Sequence, residues 1–287
     1  MGSKYIDLLS DFGFKKVFGK ENCSEEFLID FLNAIFRDDP MHNDIVTVKY
    51  KNVEKSPEHT DDKSIRYDLY CETNTGHRFI VEMQKRNKYN FKDRVTYYLA
   101  REIVEQGIRA KDRTEWNYEY LPIVGVFITN FFVDGIDRDL LVRGKMLNPD
   151  TGNVVLEKMS CVFLQLAAFN KSAEECETGF EKWAYVLKNM EKLHEMPFKT
   201  YKNHIFERLG ELSKVSNLSE RERNQYNDYL KWARDYNAEL RYERGEGEAR
   251  GRAEGFAEGE ARGRAEAMAE VERKLRAAGI DPSILSN

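Results

Sequence analysis

The nearly continuous apolar run at residues 121–129, LPIVGVFIT, constrains the fold more than any other segment of this 287-residue chain. A strand of this composition is buried on both faces, as inner strands are in sheets covered by helices. Two segments with apolar residues at i, i+4 spacing, residues 24–36 and 91–105, supply amphipathic helices to cover such a sheet. The sequence therefore predicts an α/β fold with a mixed central sheet flanked by helices.

Residues 64–85 predict a β-hairpin, because two runs of β-forming residues flank a turn at residues 74–76. Strand alternation places Glu82 and Gln84 on one face of the second strand. The first strand carries Asp68 near its centre, so Asp68 and Glu82 lie on neighbouring strands. A buried carboxylate is costly unless it is paired or holds a cation. Such a conflict between strand propensity and placement marks a candidate functional site.

The hairpin carries the pattern D…E-x-Q, formed by Asp68, Glu82 and Gln84. Mg²⁺ prefers hard oxygen ligands, commonly one or two carboxylates together with water and substrate phosphate. The two carboxylates and the carbonyl of Met83 supply such oxygens. We therefore predict a Mg²⁺ site, with Mn²⁺ or Ca²⁺ as alternatives, that supports phosphodiester hydrolysis. Gln84 is predicted to orient the attacking water, since a neutral amide cannot serve as a charged base.

The acidic residues also allow plainer interpretations. Asp68 and Glu82 can instead form ion pairs on an exposed sheet face. The basic residues close enough in sequence for this are Arg66, Arg78 and Lys85. Asp11, in the segment DFGFKKVFG, is a candidate accessory metal residue, and the alternative is that it caps the first helix.

A cluster of basic residues directly follows the hairpin and is predicted to hold DNA phosphates. Its members are Lys85, Arg86, Lys88, Lys92, Arg94 and Arg101. Because the net charge of the chain is −5, nucleic-acid binding must depend on this local patch rather than on the overall charge. The alternative is that these residues form a solvated basic helix face.

A repeat sets the C-terminal part of the chain apart. Glycines recur every four residues from Gly247 to Gly263, and EARGRAE occurs twice. A period of four places the glycines along one slowly drifting helix stripe. The pattern predicts either a solvated, partly helical tail or a helix that assembles a homo-oligomer such as a dimer. The predicted organisation is a core at residues 1–170, a helical extension at 171–244 and the repeat tail at 245–287.

The remaining composition argues against several classes of protein. The four cysteines are scattered and form no CxxC pair, which excludes a zinc ribbon and fits a reduced, cytoplasmic protein. No run of residues approaches the roughly 18 apolar residues of a membrane span, so we expect no membrane association.

Several segments together resemble the Rpn family of recombination-promoting nucleases and transposases, a branch of the PD-(D/E)xK nuclease superfamily. They occur in the expected order over nearly the whole chain. The segments are DFGFKKVFG, YDLYCETNTGHRFIVEMQ, RVTYYLAREI, LPIVGVFITNF, FLQLAAFNK, EKWAYVLKNM and the Gly/Ala/Glu/Arg tail.

The resemblance implies a restriction-endonuclease-like fold and a Mg²⁺-dependent DNA endonuclease linked to recombination or mobile elements. It also implies that Asp68 and Glu82 are metal ligands and that Gln84 stands where most of the superfamily has a catalytic lysine. Tyr67 replaces the proline of the superfamily's name, at a position that shapes the backbone. Two other functions stay open. One is a non-catalytic DNA-binding or assembly protein on a nuclease scaffold, and the other is an RNase or toxin-like nuclease that uses the same site.

Overall fold

The computed structural model describes residues 3–19, 25–37, 39, 45–51, 54–55, 65–108, 117–279 and 281. Its helices are α1 (Asp11–Phe18), α2 (Glu25–Phe36), α3 (Phe91–Ile108), α4 (Gly179–Asn189), α5 (Ile205–Ser213) and α6 (Glu220–Ala277). Its strands are β1 (Val48–Tyr50), β2 (Glu54–Lys55), β3 (Ile65–Arg66), β4 (Leu69–Thr73), β5 (Arg78–Gln84), β6 (Ile123–Thr129), β7 (Leu141–Leu147) and β8 (Val154–Gln165). Within the described residues, short 3₁₀ helices lie at Leu166–Ala168, Met190–Lys192 and Val215–Asn217.

Six strands form one mixed sheet in the order β1-β4-β5-β6-β8-β7. The β5–β6 and β6–β8 pairs are parallel, and the other pairs are antiparallel. All seven residues of β6 are buried, which confirms the inner strand predicted from the apolar run. The sequence did not reveal β7, because this edge strand is half-exposed and its segment LVRGKML has no regular alternation. Strands β2 and β3 form a separate two-stranded sheet.

One face of the sheet is covered by α3, which buries Phe91, Val95 and Leu99 against it. These side chains form a single apolar cluster with Tyr67, Tyr70, Ile80, Ile123, Phe127, Val133 and Phe163. Gly125 of β6 allows the helix to approach, since an added Cβ would lie 2.4 Å from the Phe127 ring and 3.1 Å from Leu99. The helix predicted at residues 91–105 is therefore confirmed. Its packing determines which part of the sheet its polar side chains can reach.

The opposite face of the sheet is covered by helices from both ends of the first unit. The Phe36 ring of α2 lies 5.5 Å from the Phe79 ring of β5. Around the fully buried Trp183 of α4, the rings of Phe18, Phe31 and Phe206 lie 5.7, 5.6 and 4.9 Å away. The aromatic packing joins α1, α2, α4 and α5 into one layer.

The chain divides into two compact units, Met1–Tyr226 and Asn227–Asn287. The sheet and the helices α1 to α5 belong to the first unit, which also contains the start of α6. From Asn227 onward the described residues of the second unit are almost entirely helical and mostly exposed. Residues 280 and 282–287 of the predicted tail lie outside the described residues. Among the helices that are described, none combines the length and the apolar character that a membrane span requires.

Candidate active site

The hairpin β4–β5 brings the two predicted acidic residues together. Its turn contains Gly76 with φ of +75°, a left-handed conformation that glycine adopts without strain. The antiparallel register pairs Leu69 with Val81, so Asp68, the residue before β4, lies beside Glu82 of β5. The prediction that Asp68 stands within a strand is wrong in this detail. It occupies a bend between β3 and β4, where its carboxylate stays partly exposed instead of being buried in the sheet.

Each carboxylate is held by the backbone of the other strand. The amide of Asp68 donates to Glu82 Oε1 at 3.1 Å. In return, the amide of Met83 donates to Asp68 Oδ2 at 2.9 Å. The reciprocal bonds fix the separation of the two acidic side chains, because neither can turn away without losing a backbone partner.

Arg94, from the second turn of α3, completes this group. Its Nη2 donates to Glu82 Oε2 at 3.1 Å and its Nη1 donates to Gln84 Oε1 at 3.3 Å. The sequence predicted Arg94 as a phosphate contact or as part of a solvated helix face, but its side chain reaches β5. The guanidinium Nε donates to the hydroxyl of Tyr98 at 3.0 Å. Tyr98 was not predicted as a site residue, although its i+4 spacing from Arg94 on one helix face was a signal for it.

Burial and like charge raise the pKa values of both carboxyl groups. For Glu82, which is only 3% exposed, burial is the main cause and the charge of Asp68 adds to it, so its pKa rises to about 8 despite the opposing effect of Arg94. Burial also raises the pKa of Asp68, while the amide of Met83 and the charge of Lys15 oppose the rise. Perturbation of this kind is frequent at functional sites.

Helix α1 adds two further charges near Asp68. Lys15 forms an ion pair with Asp11 at 2.5 Å, and Lys15 lowers the pKa of Asp68 while Asp11 raises it. Asp11 is thus close enough to act electrostatically on the hairpin, as its predicted accessory role requires. Its alternative role as N-cap is wrong, because Ser10 is the N-cap and accepts a bond from the amide of Gly13. Lys15 was missed, although it lies one helix turn from Asp11.

Two of the predicted DNA-binding residues, Lys88 and Lys92, are exposed and line a cleft of about 610 Å³. The cleft lies between the start of α3 and the loop after β6. Its other lining residues are Asn87, Tyr89, Asn90, Phe91, Asp93, Val133, Asp134 and Gly135. Tyr89 is 96% exposed, so the lining of the cleft includes a solvent-facing aromatic ring as well as the two lysines.

Three other members of the basic cluster have different surroundings. Lys85 forms an ion pair with the buried Asp7. Arg101 donates to Glu105 at 3.1 Å along α3, and both side chains are largely buried. Arg86 is half-buried. Arg78, one of the alternative partners considered for the acidic pair, contacts Glu102 at 2.9 Å instead.

Most of the chain matches the sequence model of a known protein family. The sequence model of the PD-(D/E)XK nuclease family transposases matches residues 8–243. The chain belongs to this family. No curated protein and no solved structure matches it. The membership confirms the resemblance drawn from the sequence, and the mixed six-stranded sheet with flanking helices agrees with the restriction-endonuclease-like α/β fold.

Nucleases of the PD-(D/E)XK family generally use divalent metal ions, and the donor chemistry of the hairpin fits one. Asp68 and Glu82 offer hard carboxylate oxygens side by side at the hairpin, and burial raises the pKa of both groups, so a bound cation would compensate a cost that burial imposes on their charge. Among the described residues, no group of three or more His, Cys, Asp or Glu side chains is placed to hold a metal. A Mg²⁺ ion here would therefore need water and substrate oxygens as further ligands, as it often does in proteins.

Proposed function

We propose that the protein is a Mg²⁺-dependent DNA endonuclease that acts in recombination or on mobile elements. The observation that supports this best is the contact of the half-buried Asp68 with the buried Glu82, each bonded to the other's strand, in a chain of the PD-(D/E)XK family. A divalent ion bound there would polarise a phosphoryl oxygen and lower the pKa of a water.

The chain's own residues have distinct roles in this proposal. Asp68, Glu82 and the carbonyl of Met83 would hold the metal, and Asp11 would assist from α1. Gln84 would orient the attacking water through its amide. Lys88 and Lys92 would bind the phosphates of the substrate backbone in the cleft, which both residues line with exposed side chains. The exposed ring of Tyr89 offers a surface on which a base can stack.

The decisive experiment is a plasmid cleavage assay with Mg²⁺ or Mn²⁺. Wild type should nick or linearise supercoiled DNA, and Asp68→Ala and Glu82→Ala should not, with folding checked by circular dichroism. Asp150→Asn, an exposed turn residue, is the control and should cut normally. Equal cutting by wild type and both alanine variants would reject the proposal.

Two variations of the assay separate the competing functions. A gel shift in EDTA without cleavage when metal is added would favour the non-catalytic DNA-binding protein. Preferential cutting of RNA over DNA would favour the RNase.

We also propose a homo-oligomer formed through residues 245–287. In support, an added Cβ at any of the glycines from Gly247 to Gly263 would meet no atom within 4 Å. Deleting this segment should reduce the mass measured by light scattering.

We further propose a cytoplasmic location. The described cysteines, Cys71, Cys161 and Cys176, are free thiols, which is usual in a reducing compartment. Cell fractionation of the native protein would test this placement.

A further inference from the structure

Because residue 84 is a glutamine, the candidate site lacks the positive charge that a lysine at this position would provide. Gln84 ends β5 on the face covered by α3. The structure brings a cation to this position from elsewhere in the chain. A single guanidinium, that of Arg94, spans Glu82 Oε2 at 3.1 Å and Gln84 Oε1 at 3.3 Å.

Arg94 is held in place by its own helix. Its Nε donates to the Tyr98 hydroxyl, and its guanidinium carbon lies 5.1 Å from the centre of the Tyr98 ring. The Tyr98 ring in turn packs edge-on against the buried Tyr67 ring, with the ring centres 5.2 Å apart. The neighbouring Val95 and Leu99 are buried against the sheet. A planar guanidinium anchored in this way loses little freedom when it binds an anion.

The guanidinium also retains capacity to bind substrate. The Arg94 side chain is 32% exposed, so solvent reaches part of it although it contacts the buried Glu82. Arginine has five N–H donors. Its bonds to described residues use one donor each from Nε, Nη1 and Nη2, which leaves about two donors for an incoming oxyanion.

We propose that Arg94 is the catalytic cation of this site. It supplies beside Gln84 the positive charge that the amide lacks, and it donates to a phosphate oxygen of the substrate. The inference rests on the nuclease function proposed above and adds to it a residue that contacts the reacting group. Arginine suits this task because its fork of donors matches the oxygens of a phosphate.

A purely structural ion pair with Glu82 would have a different consequence. In the metal-free protein the Arg94 guanidinium occupies Glu82 Oε2, an oxygen that would ligate a divalent cation, so Arg94 competes with the cation there. Replacing Arg94 with a neutral residue should then tighten Mn²⁺ binding while slowing cleavage. A side chain that only maintains the fold would weaken both on removal.

The test uses Arg94→Met, Arg94→Lys and the double variant Arg94→Met with Gln84→Lys, all in the full chain. Arg208→Met, which removes an exposed partner of Glu26, is the matched control. Single-turnover plasmid cleavage, Mn²⁺ binding by calorimetry without DNA, and the thermal midpoint are measured for each. We expect Arg94→Met to cut about 100-fold more slowly and to bind Mn²⁺ several-fold more tightly.

Charge-restoring variants make the inference falsifiable. Arg94→Lys should lose about tenfold or less, and Gln84→Lys should restore about tenfold to Arg94→Met, because each returns a cation to the same place. Unchanged cleavage in Arg94→Met overturns the inference, as does slower cleavage combined with weaker Mn²⁺ binding and no restoration. If the wild type itself does not cut, the proposed nuclease function fails first, and this outcome is distinct from the others.

Discussion

The candidate site and the helix of the second unit both pair carboxylates with arginines, but in different surroundings. Glu82 meets Arg94 beneath α3 and is almost fully buried. In the second unit, Arg262 and Glu266 pair at 2.8 Å with side chains that are 83% and 66% exposed. Arg264 pairs with Glu260 on the same helix, with similar exposure.

The surroundings of an ion pair, rather than its residue types, therefore decide how strongly the two charges interact. Exposed i, i+4 pairs contribute about 0.3–0.5 kcal/mol, because water and salt screen them. In the hairpin, burial of Glu82 raises its pKa to about 8, and the nearby charge of Asp68 adds to this rise. Charge on the helix of the second unit is solvated, whereas the charge of Glu82 in the hairpin is almost entirely removed from water.

The largest contrast should come from aromatic packing in the two units. Trp183→Ala removes a fully buried ring and a bond from its Nε1 to Asp30 at 2.8 Å, so it should lower the free energy of unfolding by about 3–5 kcal/mol. Phe256→Ala removes a ring that is mostly exposed on α6 and should change it by less than about 0.5 kcal/mol. Urea denaturation followed by circular dichroism measures both, and similar losses would contradict the division into a packed and a solvated unit.

The rate of plasmid cleavage should depend strongly on the buried carboxylate and hardly at all on the exposed one. Glu82→Gln should slow single-turnover plasmid cleavage by about 10²–10³-fold, since it removes a charge from the site. Glu266→Gln removes the same charge from an exposed pair and should change the rate less than about twofold. A comparable loss in both variants would show that the exposed helix takes part in the reaction.

The acidic pair should also make stability depend on pH. The pKa of Glu82 is higher in the folded state than in the unfolded chain, so protonation of Glu82 stabilises the folded state. This contribution is fully present below about pH 4.5 and is lost as the pH rises to about 8. Asp68→Asn removes the like charge while keeping an oxygen for the amide of Met83. The variant should therefore raise Tm by about 2–4 °C at pH 8.5, or about 1 kcal/mol, and by less at pH 5.

Asp150→Asn serves as the charge-matched control for this effect, because Asp150 is exposed in a turn. Its Tm shift should be small at both pH values. If Asp68→Asn gave the same shift at pH 5 and pH 8.5, like-charge repulsion in the pair would not be the cause.

The smallest predicted effects have opposite signs in the two units. Gly76→Ala forces a side chain into a φ of +75° and should destabilise the hairpin by about 1 kcal/mol. In the isolated monomer, Gly255→Ala places a better helix former where no atom lies within 4 Å, and should stabilise the helix by up to about 1 kcal/mol. Thermal unfolding followed at 222 nm gives both signs. Destabilisation by Gly255→Ala would indicate that another chain packs against this face.

The hairpin shows how far the sequence predicts the site. Its turn, its second strand and the pairing of Asp68 with Glu82 follow from local propensity and from the alternation of side chains, which act over a few residues. The same reasoning failed for β7, because an edge strand with one exposed side needs no regular pattern. It also misplaced Asp68 within a strand, since propensity does not show where a neighbouring element forces a bend.

The sequence by itself therefore determined the α/β class, the inner strand β6, the helix α3 and the two acidic residues of the hairpin. Only the tertiary structure placed Arg94 against Glu82 and Gln84, and Lys15 near Asp68. The reason is physical. Periodicity reports which face of an element is apolar, but the long flexible side chain of an arginine or lysine can reach around that face. Its partner is decided by how closely two elements pack and by which buried charge it can neutralise.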